Sequence, residues 1–122
     1  TLANSIIARN SADFGENCYG KSGTSLGHNL IETSFDEYFS ALAIGDKSGT
    51  DPKLGPLKDN GGPTWTHALL AGSPAIDAGN PATPGSEANA CPDKDQRGIA
   101  RPQDGNGDGT ARCDIGAYEL KP

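Results

Sequence analysis

The stretch that decides the fold is Leu2-Ala3-Asn4-Ser5-Ile6-Ile7-Ala8, together with its later counterpart Ser25-Leu26-Gly27-His28-Asn29-Leu30-Ile31. Each is a short run of apolar and small polar residues, which is typical of a β-strand. The apolar pair Ile6-Ile7 recurs as Leu30-Ile31, 24 residues later. A spacing near this value fits one turn of a solenoid, in which each coil stacks its strand on that of the previous coil. The repeat therefore predicts β-helix coils within residues 1–33.

A short helix is expected to follow these coils, within residues 34–45 and at about residues 35–44. Ser34 and Glu37 form a capping box, in which a hydroxyl and a carboxylate satisfy backbone N–H groups at the start of a helix. Gly45 is placed to end the helix. The apolar side chains at helical spacing are Phe35, Phe39 and Leu42.

The remaining residues, 46–122, form a loop-rich closing segment in this interpretation. Gly, Pro, Asp and Lys dominate residues 46–63, and this composition predicts an irregular path along the surface. Thr64–Leu70 alternates branched, aromatic and apolar residues, which predicts a third strand. A further short element is expected at Ser73–Asp77, and a final strand at Asp114–Leu120.

The composition leaves little material for a hydrophobic core. The 122 residues suit a single domain, but only 34% of them are hydrophobic, while 17 are Gly and 9 are Pro. Small domains of this kind recruit disulfides, metal ions or neighbouring subunits. The formal charge of −6, without a cluster of basic residues, argues against a nucleic-acid partner. No run of about 18 apolar residues is present, so no membrane span is expected. Because the sequence contains no Met, the start at Thr1 is expected to reflect processing, trimming or cutting of a longer protein.

Three cysteines predict one disulfide and one remaining thiol. Cys91 and Cys113 flank a Gly/Asp-rich segment, and a bridge between them closes a loop of roughly 20 residues, which adds about 3 kcal/mol by restricting the unfolded chain. We therefore predict the pair Cys91–Cys113. Cys18 is then free, bonded to another chain, or a buried unreactive thiol, and the sequence leaves these alternatives open.

The sharpest chemical signal is the run Asp104-Gly105-Asn106-Gly107-Asp108-Gly109. Oxygen ligands at alternating positions, with Gly at the sixth, wrap a loop around a hard cation, and calcium is the natural occupant. The carbonyl of Thr110 is expected to add a ligand, and Asp114 stands one position before the acid that closes an EF-hand loop. The alternative is a flexible Gly/Asp turn. The predicted calcium ligands are Asp104, Asn106, Asp108, Thr110 and Asp114.

Two groups of charged residues surround this loop in the sequence. Asp93 and Asp95 are expected to complete the shell of the cation or to form a second site, because the predicted disulfide brings them beside the loop; the alternative is a solvated surface. Arg97 and Arg101 are predicted to form salt bridges with Asp77 or Asp114 rather than to bind a substrate. Asp77 is also a candidate to cap a local turn.

Five motifs in order carry a family resemblance. They are Asn60-Gly61-Gly62-Pro63-Thr64, Thr66-His67-Ala68-Leu69, Gly72-Ser73-Pro74-Ala75-Ile76-Asp77-Ala78-Gly79, Asp95-Gln96-Arg97-Gly98 and Asp114-Ile115-Gly116-Ala117-Tyr118-Glu119. Together they look like the C-terminal region of the choice-of-anchor (Q-type) surface proteins of bacteria. This resemblance implies secretion and a right-handed parallel β-helix of the pectate-lyase-like kind. It implies no reaction.

The fold class expected is therefore mainly β: the terminal rungs of a right-handed parallel β-helix, with one short helix and a loop-rich C-terminal part. The function expected is that of a secreted, calcium-stabilised structural protein at the bacterial surface, which self-assembles head to tail through β-strand edges into a filament. One alternative is a terminal cap of a larger surface adhesin, a binding module. The other is the remnant of a carbohydrate-active enzyme, but His28 and His67 are the only imidazoles and no nucleophile motif surrounds them, so no enzyme is predicted. A glycan partner is not identified by the sequence.

Overall fold

The computed structural model describes residues 1–13, 17, 23–33, 39 and 41–122. None of these residues belongs to a helix, so this part of the chain holds no helix that is able to cross a membrane. The described strands are five. They are β1 (Ile6–Ile7), β2 (Leu30–Ile31), β3 (Lys47–Ser48), β4 (Leu54–Lys58) and β5 (Thr66–Leu69).

The first three strands form a parallel sheet in chain order, β1-β2-β3. Ile6 lies opposite Leu30, and Leu30 lies opposite Lys47. The sequence repeat of the two apolar pairs is therefore confirmed as the register of two stacked strands. The third strand carries no apolar pair, and the sequence did not indicate it. Each strand is only two residues long, so the structure shows parallel stacking, while a complete right-handed β-helix stays a prediction.

The last two strands form an antiparallel pair. Leu54 lies opposite Leu69, and Lys58 lies opposite Thr66, with an irregularity between Leu54 and Leu57. Pro56 falls within this irregularity, where its missing N–H donor is tolerated. The prediction of a strand at Thr64–Leu70 is confirmed as β5. The prediction that residues 46–63 lack regular structure is wrong, because β3 and β4 both lie there.

The hydrophobic core is small, as the composition indicated. Among the described residues, four side chains are buried in it, and five half-buried ones pack against them. The buried ones are Leu30, Leu69, Ala75 and Ile115, and the others are Ile6, Leu54, Ile76, Ala78 and Tyr118. Since polar and charged side chains are also buried, among them Asn29, Asp114 and Glu119, hydrogen bonds have to satisfy much of the interior.

The helix predicted within residues 34–45 is not formed where the structure describes it. Phe39 forms a parallel β-bridge with Gly23, and residues 41–44 are not helical. The Phe39 ring lies so close to Gly23 that a Cβ there would stand 2.6 Å from it. This contact ties Phe39 to an earlier part of the chain in place of a helical turn. Ser34, Glu37 and the rest of the predicted cap lie outside the described residues.

The final strand predicted at Asp114–Leu120 is also absent. Two amides of this segment form hydrogen bonds with backbone carbonyls: Ile115 N donates to Ala75 O at 2.9 Å, and Gly116 N donates to Asn4 O at 3.0 Å. The amides of Asp114, Glu119 and Leu120 donate to buried carboxylates instead. Side chains thus replace the strand ladder that the sequence pattern predicted.

Candidate functional site

The three parallel strands are preceded by one repeated backbone corner. Asn4, His28 and Gly45 each lie two positions before their strand, and all three have positive φ, at 47°, 55° and 76°. Asn4 N donates to Gly27 O at 3.3 Å, and His28 N donates to Ile44 O at 3.0 Å. The amide of each of these corner residues thus donates to the carbonyl of the residue that precedes the next corner. We call these residues and the one that follows each of them the stacked corner: Asn4-Ser5, His28-Asn29 and Gly45-Asp46.

A ladder of polar side chains runs through the stacked corner. The Oδ1 atom of Asn29 accepts the amide of Ser5 at 3.0 Å, and the Oδ1 atom of Asp46 accepts the amide of Asn29 at 2.9 Å. Asp46 Oδ2 also accepts the hydroxyl of Ser25 at 2.6 Å and the amide of Ala43 at 2.8 Å. Each rung therefore supplies a side-chain acceptor to the rung before it, and buried donors are satisfied in register.

The same corner fixes the C-terminal segment, residues 71–122, to the stack. The Asn4 side chain accepts the amide of Asn80 and donates to Asn89 O, both at 2.8 Å. His28 Nδ1 lies 3.0 Å from Ala78 O. The His28 ring lies against Gly45, where any Cβ would collide with it, so this position requires Gly both for its φ and for the ring.

Within the C-terminal segment, two stretches are bound side by side. Gly79 N donates to Cys113 O at 2.8 Å. A Cβ on Gly79 would stand 2.7 Å from that same oxygen, so only Gly permits the approach. The predicted disulfide between Cys91 and Cys113 is confirmed, and both cysteines are buried. The disulfide thus cross-links two parts of the C-terminal segment.

Five charged residues form what we call the ion network: Asp95, Arg97, Arg101, Asp114 and Glu119. Its first half is a salt bridge between Arg97 and Asp95, 2.7 Å from Nη2 to Oδ2. The Arg97 guanidinium also lies 3.5 Å from the centre of the Tyr118 ring. Burial alone raises the pKa of Asp95, but hydrogen bonds from the Glu119 amide and from Arg97 outweigh it and hold the pKa below its ordinary 3.8.

The second half of the ion network joins Arg101 to the buried carboxylate of Glu119 and to the backbone carbonyls of Asp114 and Gly116. Arg101 Nε lies 3.3 Å from Glu119 Oε2, and the two terminal nitrogens donate to Asp114 O and Gly116 O at 3.2 and 2.6 Å. Glu119 accepts the amides of Gln103 and Asp114 at 2.8 and 3.0 Å. Both arginines thus form salt bridges, but the prediction that their partners are Asp77 or Asp114 is wrong, because the partners are Asp95 and Glu119.

Arg97 is paired with Asp95, whereas the positive charge of Arg101 acts on both Asp114 and Glu119 and lowers the pKa of each. Burial raises the pKa of Asp114 from 3.8 to about 6, and the neighbouring Asp77 charge adds to the effect. Burial likewise raises the pKa of Glu119 from 4.5 to about 7, with the Asp114 charge acting in the same direction. The folded chain therefore takes up protons that the unfolded chain releases.

This excess of buried negative charge predicts a pH dependence of stability. A raised pKa contributes stability that is complete below about pH 4 and is lost as the pH rises through about 6 and 7. We expect the free energy of unfolding to fall by on the order of 2 kcal/mol between pH 5 and pH 8. Urea unfolding at both pH values measures this change, with Glu119→Gln as the comparison, because its side-chain amide does not titrate and only the contribution of Asp114 remains. An equally large fall in the free energy of unfolding of both proteins between the two pH values would contradict the assignment.

The structure gives no support to the predicted calcium site. No group of three or more His, Cys, Asp or Glu side chains is placed to hold a metal ion within the described residues. Asp114 lies in the interior, where its two oxygens accept the amides of Asp77 and Leu120. Asp95 belongs to the ion network, and Asp93 is exposed. The prediction that these three acids complete a calcium shell is therefore not supported.

The loop that carries the remaining predicted ligands, residues 104–110, is wound by its own hydrogen bonds. Asp104 accepts the amides of Gly107, Asp108 and Gly109 at 2.8 to 3.1 Å. Thr110 donates its amide to Asp108. Asp77 accepts the amides of Gly105 and Asn106, so it caps this distant loop rather than a local turn. The carboxylates thus hold the loop through backbone N–H groups.

Three residues that matter here escaped the sequence analysis. Asn29 and Asp46 each stand directly before a strand, and a polar residue at that point of successive repeats is the signal that would have found Asn29. Asp46 gave no such signal, because Lys47–Ser48 does not resemble the earlier apolar pairs. Glu119 was quoted only as the end of a motif, although it is fully buried.

No protein-family model, no curated protein and no solved structure matches this chain. The resemblance to choice-of-anchor surface proteins therefore rests on the sequence motifs alone and stays a prediction.

Proposed function

We propose that the chain is an extracellular structural module that closes a stack of parallel β rungs. The observation that carries this proposal is the stacked corner, where the same backbone conformation and the same rung-to-rung hydrogen bonds recur along the sheet. Such repetition is how solenoids build stability, through contacts between neighbouring rungs rather than one large core. A structural role also agrees with the small core and with the number of buried polar groups.

The C-terminal segment supports the closing role. It contacts the first two corners through Asn4 and His28, and it is held by the disulfide and by the ion network. A chain short of apolar residues gains from such cross-links. The disulfide also favours an oxidising compartment, which is the support for placing the module outside the cell or on a bacterial surface.

The two imidazoles support a structural rather than a catalytic role. His28 Nδ1 faces Ala78 O, and His67 Nδ1 faces Gly55 O at 2.7 Å. In both cases the ring holds two parts of the backbone together. We therefore propose no reaction for this chain.

A closing cap is favoured over the self-assembling filament that the sequence suggested. The head-to-tail contact was expected to use a strand at residues 115–120, which is not formed, and Ile115 and Glu119 are buried. At β3, the other edge of the sheet, the Thr50 hydroxyl donates to Ser48 O at 3.0 Å, and the strand carries Lys47, a residue that discourages edge pairing. Association between copies stays an untested prediction.

The stacked corner is tested by replacing Asp46 with alanine. The change removes the acceptor for the amides of Asn29 and Ala43 and for the hydroxyl of Ser25, and Asn29 is fully buried. We expect a loss of about 2 to 3 kcal/mol in the free energy of unfolding, because buried donors lose their partners. Asp93→Ala is the matched control, since Asp93 carries the same charge on the surface. Equal stabilities of the two variants would remove the main support for the proposal.

Calcium enters this proposal only through the loop 104–110, and its part is separable from that of the hydrogen bonds. We expect Asp104→Ala to lower the melting temperature by a few degrees, because three backbone amides lose their acceptor. We expect the wild-type melting temperature to be the same in calcium and in a chelator. A large loss of stability on chelation, absent in Asp104→Ala, would instead establish the calcium loop that the 1-3-5 spacing predicted.

A further inference from the structure

A groove of about 730 Å³ runs between the first rung and the β4–β5 pair. One wall is the chain from Asn4 to Asn10, which contains β1, and the opposite wall comes from the two antiparallel strands and the residues before β5. Its lining includes Ile6, Arg9, Leu57, Trp65 and His67. The closing role proposed above does not make use of this groove.

The wall formed by the first rung is a strand edge, which is paired at Asn4, where the Gly116 amide donates to Asn4 O at 3.0 Å, and open at Ile6. Leu30 N donates to Ser5 O at 2.9 Å and Glu32 N donates to Ile7 O at 3.0 Å, so Ser5 and Ile7 face β2. Because backbone groups alternate along a strand, the N–H and C=O of Ile6 point the other way, toward the groove. No described residue forms a backbone hydrogen bond with them. An edge of this kind is a template for another strand.

The opposite wall of the groove offers apolar surface. Trp65 is 63% exposed and Leu57 is 53% exposed. Gln96 donates to the Thr64 hydroxyl at 2.7 Å and to Trp65 O at 3.3 Å, which holds the Trp65 backbone in place. Side chains of an added strand would therefore find a preformed apolar wall.

The described residues that line the groove differ in charge from the chain as a whole. The net charge is −6, yet none of these described lining residues is Asp or Glu, whereas Arg9 and His67 are among them. Arg9 forms no salt bridge within the described part of the chain. An acidic group near the end of the ligand would complement it.

We propose that this groove binds an extended peptide segment, which adds to β1 as a further parallel strand. The inference rests on the proposed function, because it continues the register of the stack by one rung. An apolar residue of the segment lies opposite Ile6, the preceding residue presents its N–H to the Ser5 hydroxyl oxygen, and an acidic residue follows toward Arg9. The alternating N–H and C=O groups of the β1 wall favour a peptide over a saccharide, which has no matching row of donors and acceptors.

A synthetic peptide with the sequence of residues 25–32, Ser-Leu-Gly-His-Asn-Leu-Ile-Glu, is the probe. It copies the second rung, which already pairs with β1 on its other edge, and it lacks Trp and Tyr. Trp65 is the single tryptophan of the chain, so its emission reports on the groove. We expect a saturable blue shift with this peptide and none with a scrambled peptide of the same composition.

Two changes test the binding mode. N-methylation of the peptide isoleucine removes the N–H expected to pair with Ile6 C=O, and we expect at least a tenfold weaker affinity without any change to the protein. Arg9→Ala, which lies outside the ion network and the stacked corner, is expected to weaken binding several-fold for the probe but not for a probe ending in Gln. Equal binding of the scrambled or N-methylated peptide would overturn the proposal, as would a Trp65 response to neutral oligosaccharides without one to the peptide. Failure here leaves the Asp46 result unaffected, so the two claims fail separately.

Discussion

Replacing Arg101 with methionine is expected to destabilise the chain by about 3 to 5 kcal/mol, the range for breaking a buried ion pair from one side. The change leaves Glu119, which is 0% exposed, without its cation, and it removes the donors to Asp114 O and Gly116 O. Methionine keeps most of the volume, so the loss reports on charge and hydrogen bonds rather than on a cavity. Chemical unfolding at pH 8, where Glu119 with its pKa of about 7 is mostly ionised, measures it.

Arg112→Met is the matched control for this experiment. Arg112 is exposed and forms no salt bridge among the described residues, so its replacement is expected to change the free energy of unfolding by no more than about 0.5 kcal/mol. The loss in Arg101→Met is also expected to shrink at pH 5, where protonated carboxylates need no cation. An effect of Arg101→Met as small as that of the control would mean that the ion network does not hold the C-terminal segment.

Removing the disulfide is the second change with a large expected effect. The bridge between Cys91 and Cys113 spans a sequence separation of 22 residues, and a closed loop of that length adds about 3 kcal/mol to stability. The free energy of unfolding of the Cys91→Ala/Cys113→Ala variant, measured with urea, is therefore expected to be lower by that amount. Since both sulfurs are buried, we expect reduction of the wild type to be slow until it unfolds.

A reductant provides the control for the disulfide variant. Under reducing conditions the unfolding midpoint of the wild type is expected to approach that of the double variant, and the variant itself is expected not to change. If the variant matched the oxidised wild type, the bridge would add nothing, and the ion network alone would have to close the C-terminal segment.

The sequence predicted the parts of this fold that repeat. The pairing of β1 with β2 was predictable because Ile6-Ile7 and Leu30-Ile31 are both apolar pairs, and the disulfide was predictable from the position of its cysteines. The third rung was missed because Lys47–Ser48 breaks the apolar pattern, and its place is set by Asp46 accepting the amide of Asn29. A side-chain to backbone bond of this kind leaves no periodic trace in the sequence.

The predictions for the C-terminal end, a strand and a calcium loop, meet the same physical difficulty. Alternation over residues 114–120 resembles a strand, but Asp114 and Glu119 point inward and take up the amides that a ladder would use. The spacing of Asp104, Asn106 and Asp108 resembles a calcium loop, but the same spacing lets carboxylates cap backbone amides. Which partner an acid chooses depends on what the fold brings near it, and Asp77 and Arg101 come from far along the chain.

The stacked parallel rungs are tested most directly by scalar couplings across hydrogen bonds in the NMR spectrum of the labelled protein. The account predicts couplings from the Leu30 amide to the Ser5 carbonyl and from the Lys47 amide to the Asn29 carbonyl, whose N–O distances are 2.9 and 2.7 Å. Both amides should also exchange slowly with solvent. Couplings to carbonyls in a different register, or rapid exchange of both amides in the folded protein, would contradict the stack.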